Sequence, residues 1–357
     1  MRKKKWFPIS LALVLVASVV ISLAAGACAP TAPEGAEEPE AKPVEVIEWT
    51  CQNYFPGGLE WYEITAEIDN LVAEMSGGRL IITSHPEAAL VPSAEIAAAV
   101  GAGTVEMGMT CGGYHMGMIP IGALEGALPM SLTGAEMDYF FFDLGAVEII
   151  RRGYADHNIY WLGNYDDTNA NLVSTVPIRT VADFKGLKIR SYGANAMMFD
   201  LAGAATTWMP GGELYTAMST GVVDALHYGG AFTMYELGLH EIADYYIEPP
   251  VYNAGNGANL INMDAWNALT PDLQEIVFAA SMLTANWHRR LATAKNVTYL
   301  TKMVEEGIEV MWLEEESIAI MQGYATEVWA YYGEGDAYCA EYYNALMDFQ
   351  RELGHVK

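Results

Sequence analysis

The residues best placed to do chemistry begin with Arg190. The segment Leu187-Lys188-Ile189-Arg190 reads as a short strand, and its period of two puts Lys188 and Arg190 on one face. Arg190 stands at the carboxyl end, where open α/β sheets gather their ligands; Lys188 sits further back. A guanidinium fork matches a carboxylate with two parallel contacts, so the chemistry on offer is capture of an anion. The alternative is a structural salt bridge. A second strand end, Val222-Val223-Asp224-Ala225, leads into His227 and Tyr228, which pair a hydrogen-bonding ring with an aromatic wall. Trp208 precedes the turn Met209-Pro210-Gly211-Gly212 and either stacks on a ligand or fills a core. Tyr114 follows Gly112-Gly113 at another strand end and is expected to face a cleft. Asn169 and Asn171 flank a strand expected at Leu172–Ser174, where alternation puts both amides on one face.

Other candidates carry less. Asp166-Asp167 could serve as catalytic carboxylates or calcium ligands, but adjacent acids on a loop are usually just solvated. There is no GxSxG, HExxH, GxxxxGK[ST], or GxGxxG after the first strand, so the expectation is a protein that is not an enzyme. Cys51, Cys111 and Cys339 show no CxxC spacing, which argues against zinc. Cys51 and Cys111 each end an expected strand and form either a disulfide or two buried thiols. The 19 methionines, Met107, Met109, Met197 and Met198 among them, read as core fillers rather than a soft-metal site.

The elements that must position these groups alternate. A strand at Val46–Cys51 precedes a helix carrying Trp61, Ile64, Ile68, Leu71, Val72 and Met75 at helical spacing, and Gly77-Gly78 stops it. Arg79–Thr83 returns as a strand, a helix follows from Ser93, and Val105–Thr110 is the next strand. That βαβαβ order predicts a parallel sheet covered by helices. A second unit begins past Trp161, with strands at Leu172–Ser174 and Leu187–Arg190. The chain near Leu260–Asn262 crosses back. Thr270-Pro271 opens a helix with Leu273, Ile276, Val277, Ala280, Leu283 and Trp287 on one face. Two more helices follow, the last striped by Tyr342, Leu346, Phe349 and Leu353. The expected fold class is α/β: two lobes joined by crossing strands, with a hinge, a cleft and C-terminal helices. The expected boundaries are lobe 1 at 46–163 and about 255–311, lobe 2 at 164–254, and helices packing across the lobes at 312–357.

The amino-terminal end sets the compartment. Arg2, Lys3, Lys4 and Lys5 precede an apolar run from Phe7 to Ala25 and then Ala25-Gly26-Ala27-Cys28. A basic start, an apolar core and a small-residue exit make a secretory leader over 1–27, with an uncleaved membrane anchor as the alternative. The proline-rich stretch after Cys28, to residue 45, is an extended tether. The chain holds 18 basic and 45 acidic residues, a formal net charge of −27, and the four leader bases make the remainder more acidic still. Such a surface disfavours nucleic acid, and any anion site must carry its own positive charge.

Several motifs in order resemble the DctP-type extracytoplasmic receptors of TRAP transporters, from about Trp49 to the end. They include Val72-Ala73-Glu74-Met75-Ser76-Gly77-Gly78-Arg79-Leu80, then Glu95–Gly103 followed by Val105-Glu106-Met107-Gly108. Further on come Phe184-Lys185-Gly186-Leu187-Lys188-Ile189-Arg190, Pro210-Gly211-Gly212-Glu213-Leu214-Tyr215 and Gly221-Val222-Val223-Asp224-Ala225. The Gly-Gly-Glu-Leu-Tyr wording is closest to the TakP-like branch that binds 2-oxo acids and lactate. The resemblance implies a two-lobed periplasmic-binding-protein fold that captures a small organic anion and hands it to TRAP membrane permease subunits, with a sensor or an exported enzyme as rivals. It implies that Arg190 grips the ligand carboxylate and that an amide near Asn169 or Asn171 binds ligand. It also implies lipidation at Cys28, which resembles the bacterial lipobox cysteine and holds the chain at the membrane surface, outside the cytoplasm. In that branch an acid at the position of His227 helps hold a metal that bridges to the ligand. A hard sodium or calcium ion wants carboxylate oxygens, so the histidine argues against a cofactor; His227 is expected to touch the anion directly, with a histidine satisfied by neighbouring backbone as the alternative. Some relatives dimerise through a C-terminal helix; packing of that helix onto its own chain, in a monomer, is expected here.

Overall fold

The computed structural model describes residues 46–166, 168–255 and 257–356, with side chains omitted at 164–166. The leader, Cys28, the tether and Asp167 lie outside the described residues. Two mixed sheets organise the body. The first has the order β2-β1-β3-β10-β4, from β1 (Ile47–Asn53), β2 (Leu80–His85), β3 (Met107–Cys111), β4 (Ile159–Asp166) and β10 (Gly257–Asn262). The second has the order β11-β9-β5-β8-β6-β7. Its strands are β5 (Ala170–Ser174), β6 (Lys188–Arg190), β7 (Ala205–Thr207), β8 (Ala225–His227), β9 (Tyr245–Tyr252) and β11 (Glu309–Trp312).

The first three strands pair in parallel, as the βαβαβ order predicts. The helix Glu60–Ser76 buries Trp61, Ile64, Ile68 and Val72 and ends on Gly77 in the left-handed region (φ 63°), where glycine carries no steric penalty. The sheet is then completed by β10, antiparallel to both β3 and β4, so it is mixed rather than wholly parallel. The chain passes between sheets three times, by short links from β4 to β5 and from β9 to β10 and by a longer helical path from β10 to β11; the two short links form the junction. They lie side by side: Gly257 opposes Asp166, Ala170 opposes Tyr252, and Gly255 N donates to Thr168 O at 2.8 Å. Two strands hydrogen-bonded across the junction leave bending about it as the easy relative motion of the lobes.

Three features differ from the sequence reading. β11 pairs with β9, so the chain re-enters the second lobe at 309–312 rather than staying with the first to 311. The 35-residue helix Pro271–Glu305 packs on Glu60–Ser76 and β4, then reaches the helix Ala231–Glu236 of the other lobe. Its buried face runs through Leu273, Val277, Ala280, Ser281, Thr284, Ala285, His288 and Ala292, while Leu283 and Trp287 are exposed. Small and polar side chains let the backbones approach, a signal that a search for large apolar residues passes over. The C-terminal stripe behaves as expected for Tyr342, Leu346 and Phe349, which are buried with Phe140 stacked on Phe349 at 5.8 Å; Leu353 is exposed. No described helix is long and apolar enough to cross a membrane.

Candidate functional site

The site is made of strand ends. Tyr54 and Phe55 follow β1; Cys111 and Tyr114 close β3; Tyr192 follows β6; Tyr228 and Gly229 follow β8. Each lies beyond the carboxyl end of a strand in a parallel pair, where loops are free of the ladder and the sheet's twist opens a crevice. With Trp61, Thr233 and the hinge residue Tyr252, these groups line a cavity of about 350 Å³ including its mouth. Its walls come from both lobes. Most of that space belongs to the mouth and to the gaps between side chains, and the enclosed part is small, about 30 Å³ for the centre of a water-sized sphere, so a guest of few heavy atoms is the most it admits.

Arg190 stands directly behind this wall, fully buried. Its Nε and Nη2 donate to Met209 O at 3.1 and 2.8 Å and its Nη1 donates to His227 O at 2.8 Å. Nη2 also donates to the Tyr114 hydroxyl at 3.2 Å, across the lobes. The guanidinium carbon lies 4.9 Å from the Tyr228 ring centroid and 5.5 Å from that of Tyr192. Burial disfavours its charge, but the tyrosine oxygens around it outweigh that and hold its pKa above the ordinary arginine value. Among the described residues no carboxylate pairs with it. Glu87 attracts it from beyond ion-pair distance; a buried charge without a direct partner costs several kcal/mol, so this one favours an anion brought into contact with it.

The other expected residues fall in different places. Tyr114 and Tyr228 line the cavity. His227 does not: its ring packs against Tyr192, Phe199 and Tyr252, and its Nδ1 meets Ser191 Oγ at 3.1 Å. Burial first, then Arg190, lowers its pKa to about 3, so it is a neutral ring, not an anion-gripping imidazolium. Trp208 is exposed, edge-on to Tyr114 at 5.3 Å, and lines surface recesses outside the cavity. Asn169 and Asn171 build the hinge instead of the cavity wall. Asn169 Nδ2 donates to Asn171 Oδ1, Asn171 Nδ2 to Ile247 O, and Asn296 Nδ2 to Asn169 Oδ1 at 2.8, 3.0 and 3.1 Å. Alternation did place both amides together; a bulge in the β5–β9 pairing turns them onto the adjoining strand and helix. Cys51 and Cys111 are buried thiols not joined in a disulfide, so the disulfide alternative falls away.

The sequence reading missed Tyr54, Phe55, Trp61, Tyr192, Thr233 and Tyr252. The strand-end rule that found Tyr114 would have found the pair after β1 and Tyr192. Trp61 was hidden by its helical spacing, which marks a core residue equally well, and nothing in the sequence singles out Thr233. Glu87, on the loop after β2, was also missed. It accepts from Gly211 N at 3.1 Å and Gly212 N at 2.9 Å on the opposite lobe, and from Ser93 Oγ at 3.1 Å.

Two α/β lobes, a double-stranded hinge, and an aromatic cavity backed by a buried unpaired guanidinium define a cleft-type solute receptor. The model of the bacterial extracellular solute-binding proteins, family 7 (DctP), matches residues 56–336, and the chain belongs to this family of TRAP solute receptors. It is 27% identical over 312 residues to a monocarboxylate 2-oxoacid-binding periplasmic protein of Nostoc sp., covering 86% of this chain and 85% of the relative. Among solved structures, a TRAP periplasmic solute-binding protein of Pseudoalteromonas atlantica with bound sodium and pyruvate superimposes with a TM-score of 0.82 at 23% identity, covering 87% and 96% of the two chains. A counterpart from Colwellia psychrerythraea with bound calcium and pyruvate gives 0.81 at 23% identity and the same coverage.

The residues here do not fit such an ion. No carboxylate lines the described cavity, and no three described His, Cys, Asp or Glu side chains cluster in a metal-holding arrangement. A hard cation favours carboxylate oxygens, whereas the His227 ring packs outside the cavity lining, and the fixed charge of Arg190 behind the wall repels a cation.

Proposed function

We propose that this receptor captures a small monocarboxylate of the 2-oxo or 2-hydroxy class between its lobes and presents the closed complex to TRAP permease subunits. The observation that carries the reading is Arg190, a permanent charge buried against the cavity wall with no carboxylate in direct ion-pair contact among the described residues; Glu87 attracts it only from further off. A ligand carboxylate supplies the missing partner, and the tyrosine rings around it exclude water. One charge-assisted contact contributes about 1.5–3 kcal/mol against about 8 for micromolar affinity. The guanidinium therefore orients the ligand, and the aromatic wall and lobe closure supply the rest. Closure is productive only because the ligand touches both lobes, which gives it higher affinity for the closed form. The Nostoc relative, by its name, binds monocarboxylate 2-oxo acids, and two structural neighbours hold pyruvate. Cys28 as a lipidated anchor, with the proline-rich tether behind it, would keep a monomeric receptor beside its permease. Calorimetry with a panel of pyruvate, lactate, other 2-oxo acids and pyroglutamate tests the reading. Arg190→Ala should weaken the tightest ligand by about 2–5 kcal/mol, the cost of removing one partner of a buried charge pair. Unchanged affinity in that variant, or no binding across the panel, would sink it.

A further inference from the structure

Three polar atoms on the cavity wall have no partner. Trp61 Nε1, Tyr228 Oη and Thr233 Oγ1 are buried without a hydrogen bond, in residues only 2%, 5% and 1% exposed, and all three side chains line the same cavity. Buried polar groups in native proteins are nearly always satisfied, and each exception asks for an explanation. These three are explained together by a guest with oxygen atoms to offer.

Their chemistry constrains that guest. An indole N–H can only donate, so the ligand must bring an acceptor to Trp61, not an ammonium group. The two hydroxyls both donate and accept. Trp61 is fixed by Phe55 at 5.7 Å, Phe232 at 5.4 Å and the His288 ring at 4.1 Å, so its N–H cannot swing away to find water. It comes from the first lobe and Thr233 from the second, so one ligand oxygen between them would hold the lobes together independently of Arg190.

We propose that the cavity recognises a carboxylate carrying a second oxygen acceptor. Trp61 and Thr233 read that oxygen directly, and the ligand is held without a bridging cation. The inference rests on the proposed monocarboxylate function and specifies how that function discriminates. In place of an acid-held ion, this chain has a neutral, ring-stacked His227 and a set of donors on the wall. Those unpartnered donors are available to the oxygens of a bound carboxylate.

The test is calorimetry on the purified protein with lactate, pyruvate and propionate, which share a carboxylate and differ in the second oxygen. Binding is measured in choline chloride with EDTA, then with added sodium or calcium. Lactate or pyruvate should bind at least about tenfold tighter than propionate, the range one well-placed buried hydrogen bond gives, and added cation should change affinity less than about twofold. Trp61→Phe keeps the packed ring and Thr233→Val keeps the shape; each should shrink the preference over propionate several-fold. Affinity that collapses in EDTA and choline and returns with sodium or calcium overturns the cation-free claim. An undiminished preference in both variants overturns the assignment of Trp61 and Thr233. If neither these three acids nor any member of the wider panel binds, the monocarboxylate reading falls and takes this inference with it. Binding with the wrong pattern overturns this inference alone.

Discussion

Arg190 of the second lobe donates from Nη2 to the Tyr114 hydroxyl of the first lobe at 3.2 Å. The contact is a direct polar link between lobes at the point where the ligand carboxylate is proposed to sit. Burial pushes the Tyr114 hydroxyl above its ordinary pKa, so it stays a neutral phenol at every pH the protein would meet.

Tyr114→Phe removes that link while keeping the ring that packs edge-on against Tyr192 and Trp208. Ligand affinity should fall by about 0.5–1.5 kcal/mol, the net worth of one hydrogen bond. The ligand-free protein should become more open, with a larger radius of gyration by small-angle scattering. A variant that scatters and binds like the wild type shows that the lobes close without it.

Glu87 spans the opening from the other side, its two oxygens taken by Gly211 N and Gly212 N. Burial raises its carboxyl pKa against the lowering effect of those bonds. Glu87→Gln replaces charge-assisted bonds by weaker neutral ones and leaves an amide N–H facing backbone donors. Stopped-flow binding should show a several-fold faster ligand dissociation with an association rate changed less than about twofold, as expected for a contact made after encounter. Equal dissociation rates would mean that the latch is decorative.

Gly193 has φ +55°, and a Cβ there would meet Gly113 Cα of the opposite lobe at 3.2 Å. Gly193→Ala therefore adds both backbone strain and bulk where two main chains of the half-buried lobe contact meet. Binding should weaken by about 1–3 kcal/mol, with a smaller loss of thermal stability, because the backbone strain acts in every form whereas the contact with Gly113 is made only where the lobes meet. Loss of stability equal to the loss of affinity would place the damage in the fold instead of in closure.

Glu125 provides a pH handle beneath the Tyr114 loop. It accepts from Tyr154 Oη at 2.7 Å, and that hydroxyl meets His115 Nε2 at 2.7 Å. Burial raises the carboxyl from 4.5 to about 8, so the folded state keeps a proton that the unfolded chain gives up near 4.5. Between those values the folded state binds more protons, and stability falls as pH rises; above about 8 both states are ionised and the effect levels off. Glu125→Gln should lose this component, so the wild-type Tm measured relative to the variant should decline from pH 5 to pH 8. His115 works in the opposite sense. Its pKa is lowered to about 3, chiefly by burial, and stability it contributes is lost as pH falls from about 6.5 toward 3. The paired comparison with Glu125→Gln cancels it. A flat difference between wild type and variant across pH 5–8 would leave Glu125 ionised in the fold.

Much of this was legible in the residues alone. Periodicity located β1 to β3, the helix Glu60–Ser76 and the C-terminal helices, because each buries one face and its hydrophobic spacing records which. The end-of-strand rule put Arg190, Tyr114 and Tyr228 at the cleft, since a carboxyl-end position follows from element order. The same order could not tell where a side chain turns after the strand stops. His227 and Asn171 were therefore placed with the ligand, when one packs into an aromatic pocket and the other ties the hinge.

What the sequence determined by itself is local: which segments are strands and helices, that a fixed positive charge ends one of them, and that an acid is absent at position 227. Tertiary structure decided whether that charge would find an acid within the chain, which donors would remain unsatisfied on the wall, and that Trp61 and Thr233, 172 positions apart in the chain, share one cavity. These depend on how two lobes close over each other, a relation between distant segments that spacing along the chain does not encode.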